Sequence, residues 1–301
     1  MVAAAEPHTR AKPKLHQIDQ KGCFEFGPVN GASVWHVNSG MGSAGLGAAQ
    51  QTVTKAIEAL RPDAVILVGI AFGMELEEQQ IGDVLVSQRL MMYESQRVGT
   101  KNGEKSVIQR GDRATASPVL LDRMRNAHLL NRTVNVWFGL ILSGEKLVDN
   151  RDFRQELLET EPESLGGEME GAGLYTACVD ARVPWIVVKG ICDWGDGHKG
   201  TDKKARQELA AKNAAKFVLD AIAAAPLKLD SAKTLEAESA AIKSVPPASQ
   251  PFKAFQIAHL YWLGSDLADA YRITITSTDQ KIATRCLTQS LRHFKKARLS
   301  H

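Results

Sequence analysis

The run Gly166-Gly167-Glu168-Met169-Glu170-Gly171-Ala172-Gly173 sets two carboxylates either side of a thioether among small residues. A third carboxylate, Asp193, follows 23 residues after Glu170, at the end of the apolar run that begins at Trp185. A carboxylate accepts the vicinal hydroxyls of a ribose bidentately, and a methionine packs against the carbon face of the sugar. An aspartate in a dry site beside other acids gains proton affinity, which makes it an acid at neutral pH. Glu170 at a helix start could be there for the helix dipole alone, and Asp193 could simply cap the next turn, with Asp196 a competitor for the acid's role. The small residues beside Glu170 point past these readings, because they leave room for a ligand at the helix start. The set suits a ribose gripped by its hydroxyls while a purine ring is protonated, which is the chemistry of breaking an N-glycosidic bond.

These residues need elements to hold them. Cys23–Phe26 and Val34–Val37 alternate in polarity around Asn30-Gly31, the signature of a hairpin. Ser39-Gly40-Met41-Gly42-Ser43-Ala44-Gly45 then opens into a helix reaching about Leu60, and its free N–H groups suit an anion or a sugar oxygen. Gly40, Gly42 and Gly45 match a dinucleotide-binding spacing, but Asp63 precedes the next apolar run instead of ending it, so that reading is set aside. The same glycines also serve close helix–strand packing. Continuous apolar runs at 64–70, 136–143 and 185–192, with a further strand starting at Asp83, read as buried strands. Helical periods fall between them near 116–130, 150–160, 171–182 and 203–224. Strands alternating with helices predict an α/β fold: a three-layer αβα sandwich with a mixed central sheet.

The chain has 301 residues, 24% of them charged and 44% hydrophobic, with a formal net charge of +3. That balance excludes disorder over most of the chain and gives no reason to expect nucleic acid as partner. No apolar run reaches the roughly 18 residues of a membrane span. The four cysteines show no paired spacing. They suit a reducing, cytoplasmic setting and frame neither disulfides nor a zinc site. Residues 1–22 read as a disordered leader, 23–225 as the main domain, and 226–250 as a linker around Pro246-Pro247. Residues 251–301 read as a small helical hairpin, with Leu260, Leu263, Leu267 and Tyr271 on one helix and Ala283, Leu287, Leu291 and Phe294 on the next. Tyr261 and Trp262 cannot both face one stripe, so one is a candidate anchor for a partner.

Taken in order, Asn30-Gly31, Ser39-Gly40-Met41-Gly42, Leu67-Val68-Gly69-Ile70-Ala71-Phe72-Gly73-Met74, Ile81-Gly82-Asp83-Val84, Leu142-Ser143-Gly144-Glu145, Glu168-Met169-Glu170-Gly171-Ala172 and Gly190-Ile191-Cys192-Asp193 resemble the purine nucleoside phosphorylase and nucleosidase family, nearest to its methylthioadenosine/S-adenosylhomocysteine nucleosidases. The stretch from Cys192 to Lys199 is similar to the subgroup fused to signalling or defence modules. The resemblance implies that Glu170 holds the ribose hydroxyls, that Met169 lines the sugar face with Glu168 beside it, and that Asp193 protonates N7 of an adenine-type base. It further implies that Leu147 and Val148 clasp the base opposite Ala71 and Phe72, with Gly40 also at the substrate, and that neither metal nor cofactor is used. A homodimer is expected on the same ground. Positive charge developing on the ribose would be stabilised by the nearby anions.

Two departures shape the expectation. Where the family's phosphorylases carry an arginine and a serine for phosphate, this sequence has Leu67 and Ile70, which points to water as the acceptor. The family's first strand carries a carboxylate that activates the water, and residues 1–22 offer no strand pattern and only Glu6 and Asp19. A central strand is thus expected to be missing, leaving an open slot in the sheet and little or no turnover. Arg89, Lys101, Lys105, His198 and Lys199 are the cations available should the 5′ side carry phosphates. The expected function is therefore hydrolysis of an adenine nucleoside or nucleotide, 5′-thio or 5′-phosphate. The alternative is a nucleotide-binding sensor in a signalling or defence system that recruits a protein partner through residues 251–301.

Overall fold

The computed structural model describes residues 8–224, apart from positions 10, 11, 20, 102, 131 and 199–201. The chain divides into two compact units, Met1–Leu229 and Asp230–His301. The first is described below; the linker at 226–250 and the helical hairpin at 251–301, with the partner surface read there, lie outside the described residues.

Asn30 and Gly31 both take left-handed backbone, with φ of 46° and 84°. That geometry matches the right-handed twist of the flanking strands, and the turn joins β2 (Lys21–Val29) to β3 (Ala32–Val37). A strand inside the segment read as a leader, β1 (Lys14–Ile18), pairs antiparallel with β2. Four of its five residues are exposed, so no buried face marks it in the sequence and the pairing with β2 supplies what holds it.

The glycine-rich turn feeds α1 (Ala49–Leu60), followed by β4 (Val65–Gly73) and β5 (Val84–Met92). A hairpin of β6 (Gln96–Lys101) and β7 (Glu104–Gln109) precedes β8 (Arg113–Thr115) and α2 (Pro118–Leu130). The rest alternates: β9 (Val136–Ser143), α3 (Arg151–Thr160), β10 (Ser164–Glu168), α4 (Gly171–Asp180), β11 (Trp185–Asp193) and α5 (Lys203–Ala224). The six-stranded mixed sheet runs β11-β4-β10-β9-β5-β8, and β11 also pairs with β5, so the sheet curls back on itself.

The layers follow from alternation along β11. A Cβ on Gly190 would lie 2.1 Å from the Ala210 carbonyl oxygen, so α5 presses onto that face of the sheet. Lys189, the preceding residue, points the other way and meets Glu170 at the start of α4. Helices thus cover both faces, as the αβα reading requires. The core between them is built from Val84, Leu85, Val86, Leu90, Ile186, Val187 and Val188.

The expected opening in the sheet is present. One edge of β4 is paired with β11 from Val65 to Phe72. Among the described residues, the other edge is paired with β10 only at Phe72 and Gly73. Val65–Ile70 are accordingly half-buried in a strand that is central by order, whereas Trp185–Cys192 beside them are buried throughout.

Candidate active site

The open edge of β4 floors a cleft of about 200 Å³. Ser39, Gly40 and Met41 form one wall, Leu67–Ile70 the floor, and Glu170 and Lys189 the charged end. Of the residues named from sequence, Gly40 and Glu170 therefore meet in one place.

Glu170 is the N-cap residue of α4. Its Oε2 accepts from Lys189 Nζ at 2.8 Å and its Oε1 from the Gly42 N–H at 3.1 Å. Burial pushes its carboxyl up, but the Lys189 ammonium and the N–H groups of Gly42 and Met169 outweigh this and hold it below the usual carboxylate range. Glu168 is sealed from solvent and its oxygens are occupied: Lys189 lies 3.0 Å away, and the N–H groups of Glu170 and Gly171 donate at 3.0 and 2.9 Å. Burial pushes the Lys189 ammonium down, and the two glutamates more than reverse it, so it stays charged above the usual lysine range. Two carboxylates around one ammonium leave the group with a net negative charge. Lys189 was not singled out in the sequence. The signal was there: a lysine inside a run of buried apolar residues demands carboxylate partners.

The small residues after Glu170 have a structural purpose. A Cβ on Gly171 would lie 2.6 Å from Glu168 Oε1, and one on Gly173 would lie 2.6 Å from the Ser43 carbonyl oxygen. The space read as room for a ligand is filled by Glu168 and by the glycine turn packing against α4. Ser43 Oγ donates to the Met169 carbonyl at 2.8 Å, which ties the turn to the Glu-Met-Glu segment.

Asp193 belongs to a second cluster. β11 and β4 run in register to Ile191 and Ala71, after which Asp193 pairs with Phe72 and Cys192 is the extra residue of a bulge. The bulge re-aims the strand end and places Asp193 with Phe72. Gly195 brings in Val148: its Cβ position lies 3.2 Å from Val148 Cγ1 and 3.4 Å from the Phe72 ring. Asp193 Oδ1 accepts from the Gly195 N–H at 3.0 Å, and Cys192 Sγ lies 3.3 Å from Oδ2. Asp196 makes the equivalent turn contact with the His198 N–H. Ala71, Phe72 and Val148 are buried, while Leu147 is largely exposed. Arg154 of α3 reaches the carbonyl of Trp194 at 3.5 Å, holding the segment after Asp193.

Of the cations considered for a phosphate, Arg89 pairs with Glu163 and His198 contacts Asp196. Lys199 lies outside the described residues. Among the described residues no His, Cys, Asp and Glu group is arranged to hold a metal, and no helix is long and apolar enough to cross a membrane.

The family model described as the phosphorylase superfamily matches residues 3–223. A death domain-containing ATP nucleosidase of Amphimedon queenslandica is 31% identical over 191 residues, spanning 57% of this chain and 36% of that protein. The chain thus covers about a third of that relative's length. A 5′-methylthioadenosine/S-adenosylhomocysteine nucleosidase of Staphylococcus epidermidis is 27% identical over 199 residues, covering 65% of this chain and 85% of the relative. Among solved structures, the Neisseria meningitidis 5′-methylthioadenosine/S-adenosylhomocysteine nucleosidase in complex with methylthio-immucillin-A superposes with a TM-score of 0.63 over 74% of this chain and 94% of that one. At 21% identity, that likeness speaks to the fold.

Proposed function

The chain belongs to the phosphorylase superfamily, and on that premise we propose that it is a nucleosidase that hydrolyses the N-glycosidic bond of an adenine nucleoside, with water as acceptor. Glu170 accepts the ribose hydroxyls, and Lys189 keeps it ionised and in place. Glu168 acts through Lys189 and leaves the sugar to Glu170, with Met169 against the sugar's carbon face. Phe72 and Ala71 on one side and Leu147 and Val148 on the other hold the base, with Asp193 at the purine N7. Asp193 gives its proton to N7, the C1′–N9 electron pair leaves with the base, and adenine departs neutral. Water adds at C1′ and releases a proton to solvent, from which Asp193 is reprotonated. Positive charge growing on the ribose is offset by the net negative charge around Lys189.

The observation that carries this reading is the lining of the cleft. Its one cation among the described residues is Lys189, already engaged by two glutamates, and no side chain of Leu67–Ile70 in its floor carries a charge. Among the described residues that line it, no uncommitted cation is left to hold phosphate. Its one carboxylate, Glu170, is kept a weak base by Lys189, so turnover is expected to be slow. The test is incubation with adenosine and with methylthioadenosine, with and without inorganic phosphate, followed by chromatography of the products. Adenine with the free sugar (ribose from adenosine, methylthioribose from methylthioadenosine), unaffected by phosphate, supports the reading; the corresponding sugar 1-phosphate would make the protein a phosphorylase. The same reading takes the protein as a homodimer, with Met41 and Leu46, 70% and 97% exposed, available to a second copy. Light scattering that reports a monomer would rule this out.

A further inference from the structure

Three consecutive N–H groups of the glycine turn point at carboxylates brought from elsewhere in the chain. Gly42 donates to Glu170 Oε1. Ser43 donates to Glu145 at 3.1 and 3.2 Å, and Ala44 donates to Glu145 Oε1 at 3.2 Å. Successive N–H groups turned toward one point form a concave anion site, and those of Ser43 and Ala44 share Glu145 in this way. Here the anion is a side chain of the protein, contributed by the loop between β9 and α3. Gly42, at φ 92°, is part of this fit, since a Cβ there would lie 2.9 Å from Glu145 Oε2.

The charges nearby do not neutralise Glu145. Lys189 serves Glu168 and Glu170. Lys146 serves Glu94. Lys21 lies on the carbonyl side of the turn, where it donates to the Gly47 and Asn38 carbonyls and to Thr52. Among the described residues Glu145 makes no ion pair; its partners are the backbone N–H groups alone. Its own N–H donates to Glu94, which fixes the loop from which it reaches across.

This arrangement bears on which 5′ substituent the site accepts, and the inference rests on the adenine-nucleoside reading above. With the base on the Phe72, Val148 and Asp193 side and the ribose on Glu170, the sugar's remaining substituent lies away from the base. The glycine turn, which donates to Glu170, stands beside the ribose. We propose that Glu145 is a specificity-determining residue that rejects a 5′-phosphate by already occupying the backbone N–H groups of Ser43 and Ala44. A neutral 5′ group meets the turn and Met41, which lines the cleft. A phosphate arriving there must displace a carboxylate or stand beside it, and either is a repulsive element against the wrong ligand. Two like charges about 5 Å apart near a protein surface repel strongly enough to shift preference by ten-fold or more.

The test compares adenosine with AMP. Binding is measured by calorimetry and adenine release by chromatography, for the parent and for Glu145→Gln. Glutamine keeps an oxygen acceptor for the Ser43 and Ala44 N–H groups and removes only the charge. The parent is expected to favour adenosine over AMP at least ten-fold, and Glu145→Gln to narrow that ratio about ten-fold while its affinity for adenosine changes little. Raising salt should narrow the ratio in the parent and not in the variant, because the repulsion is screened. An unchanged ratio in Glu145→Gln, or a parent that favours AMP, overturns the proposal. A parent that binds neither ligand instead overturns the adenine-nucleoside reading itself, and this inference falls with it.

Discussion

Lys189 donates to Glu170 across 2.8 Å from a side chain that is 2% exposed, and the same ammonium stands 3.0 Å from Glu168. One buried cation therefore fixes the two carboxylates of the Glu-Met-Glu segment relative to β11. The relationship links the sheet that places Asp193 to the helix start that places Glu170.

Removing the cation should expose that dependence. In Lys189→Met two buried carboxylates face each other without a counter-charge, a change that typically costs about 3–5 kcal/mol. Urea denaturation should show a midpoint lowered accordingly with an unchanged slope. A variant within about 1 kcal/mol of the parent would mean that the triad contributes little to holding the fold.

The pH dependence of stability should carry the same signature. The folded carboxyl of Glu170 lies below its ordinary value of 4.5. Its contribution is therefore present above that value and is lost as pH falls through the depressed folded value. Lys189 lies above its ordinary 10.5. Its contribution is full below 10.5 and is lost as pH rises through the raised folded value. Denaturation measured across pH should show a plateau between the two, and Glu170→Gln should flatten the acid limb. An acid limb identical in parent and variant would show that Glu170 is not the group being titrated.

Packing at the sheet–helix contact gives a test independent of chemistry. Gly190→Ala places a methyl 2.1 Å from the Ala210 carbonyl oxygen, so β11 and α5 must separate. Overpacking of this kind costs about 1–3 kcal/mol or more. Gly99→Ala has open space at its Cβ and should stay within about 0.5 kcal/mol of the parent, as surface changes usually do. Equal melting of the two variants would contradict the layer arrangement.

Much of this was legible in the residues. The apolar runs at 64–70, 136–143 and 185–192 are strands because only a sheet covered on both faces needs them so uniformly apolar. Asn30-Gly31 forms its turn because both positions require left-handed backbone. Glu170 was marked by its own chemistry and its place at a helix start. What escaped was set by contacts between distant segments. Glu145 reaches a turn about a hundred residues earlier, and no local pattern announces that. The bulge at Cys192 re-aims Asp193 by one pairing step, which alternation alone does not reveal. β1 shows no buried face and is a strand only because β2 offers it an edge. The small residues at 171–173 pattern as room for a ligand, but their reason is the packing of Glu168 and of the glycine turn against α4, visible only once these segments are side by side.

Adenine release from adenosine by the parent protein and by Asp193→Asn, followed by chromatography under identical conditions, tests the acid's role at the base most directly. Asparagine keeps an acceptor for the Gly195 N–H and lacks the proton to give. The expected result is adenine from the parent and a loss of about 10²–10⁴-fold in the variant, the range for removal of a positioned general acid. Equal rates from the two proteins would contradict it.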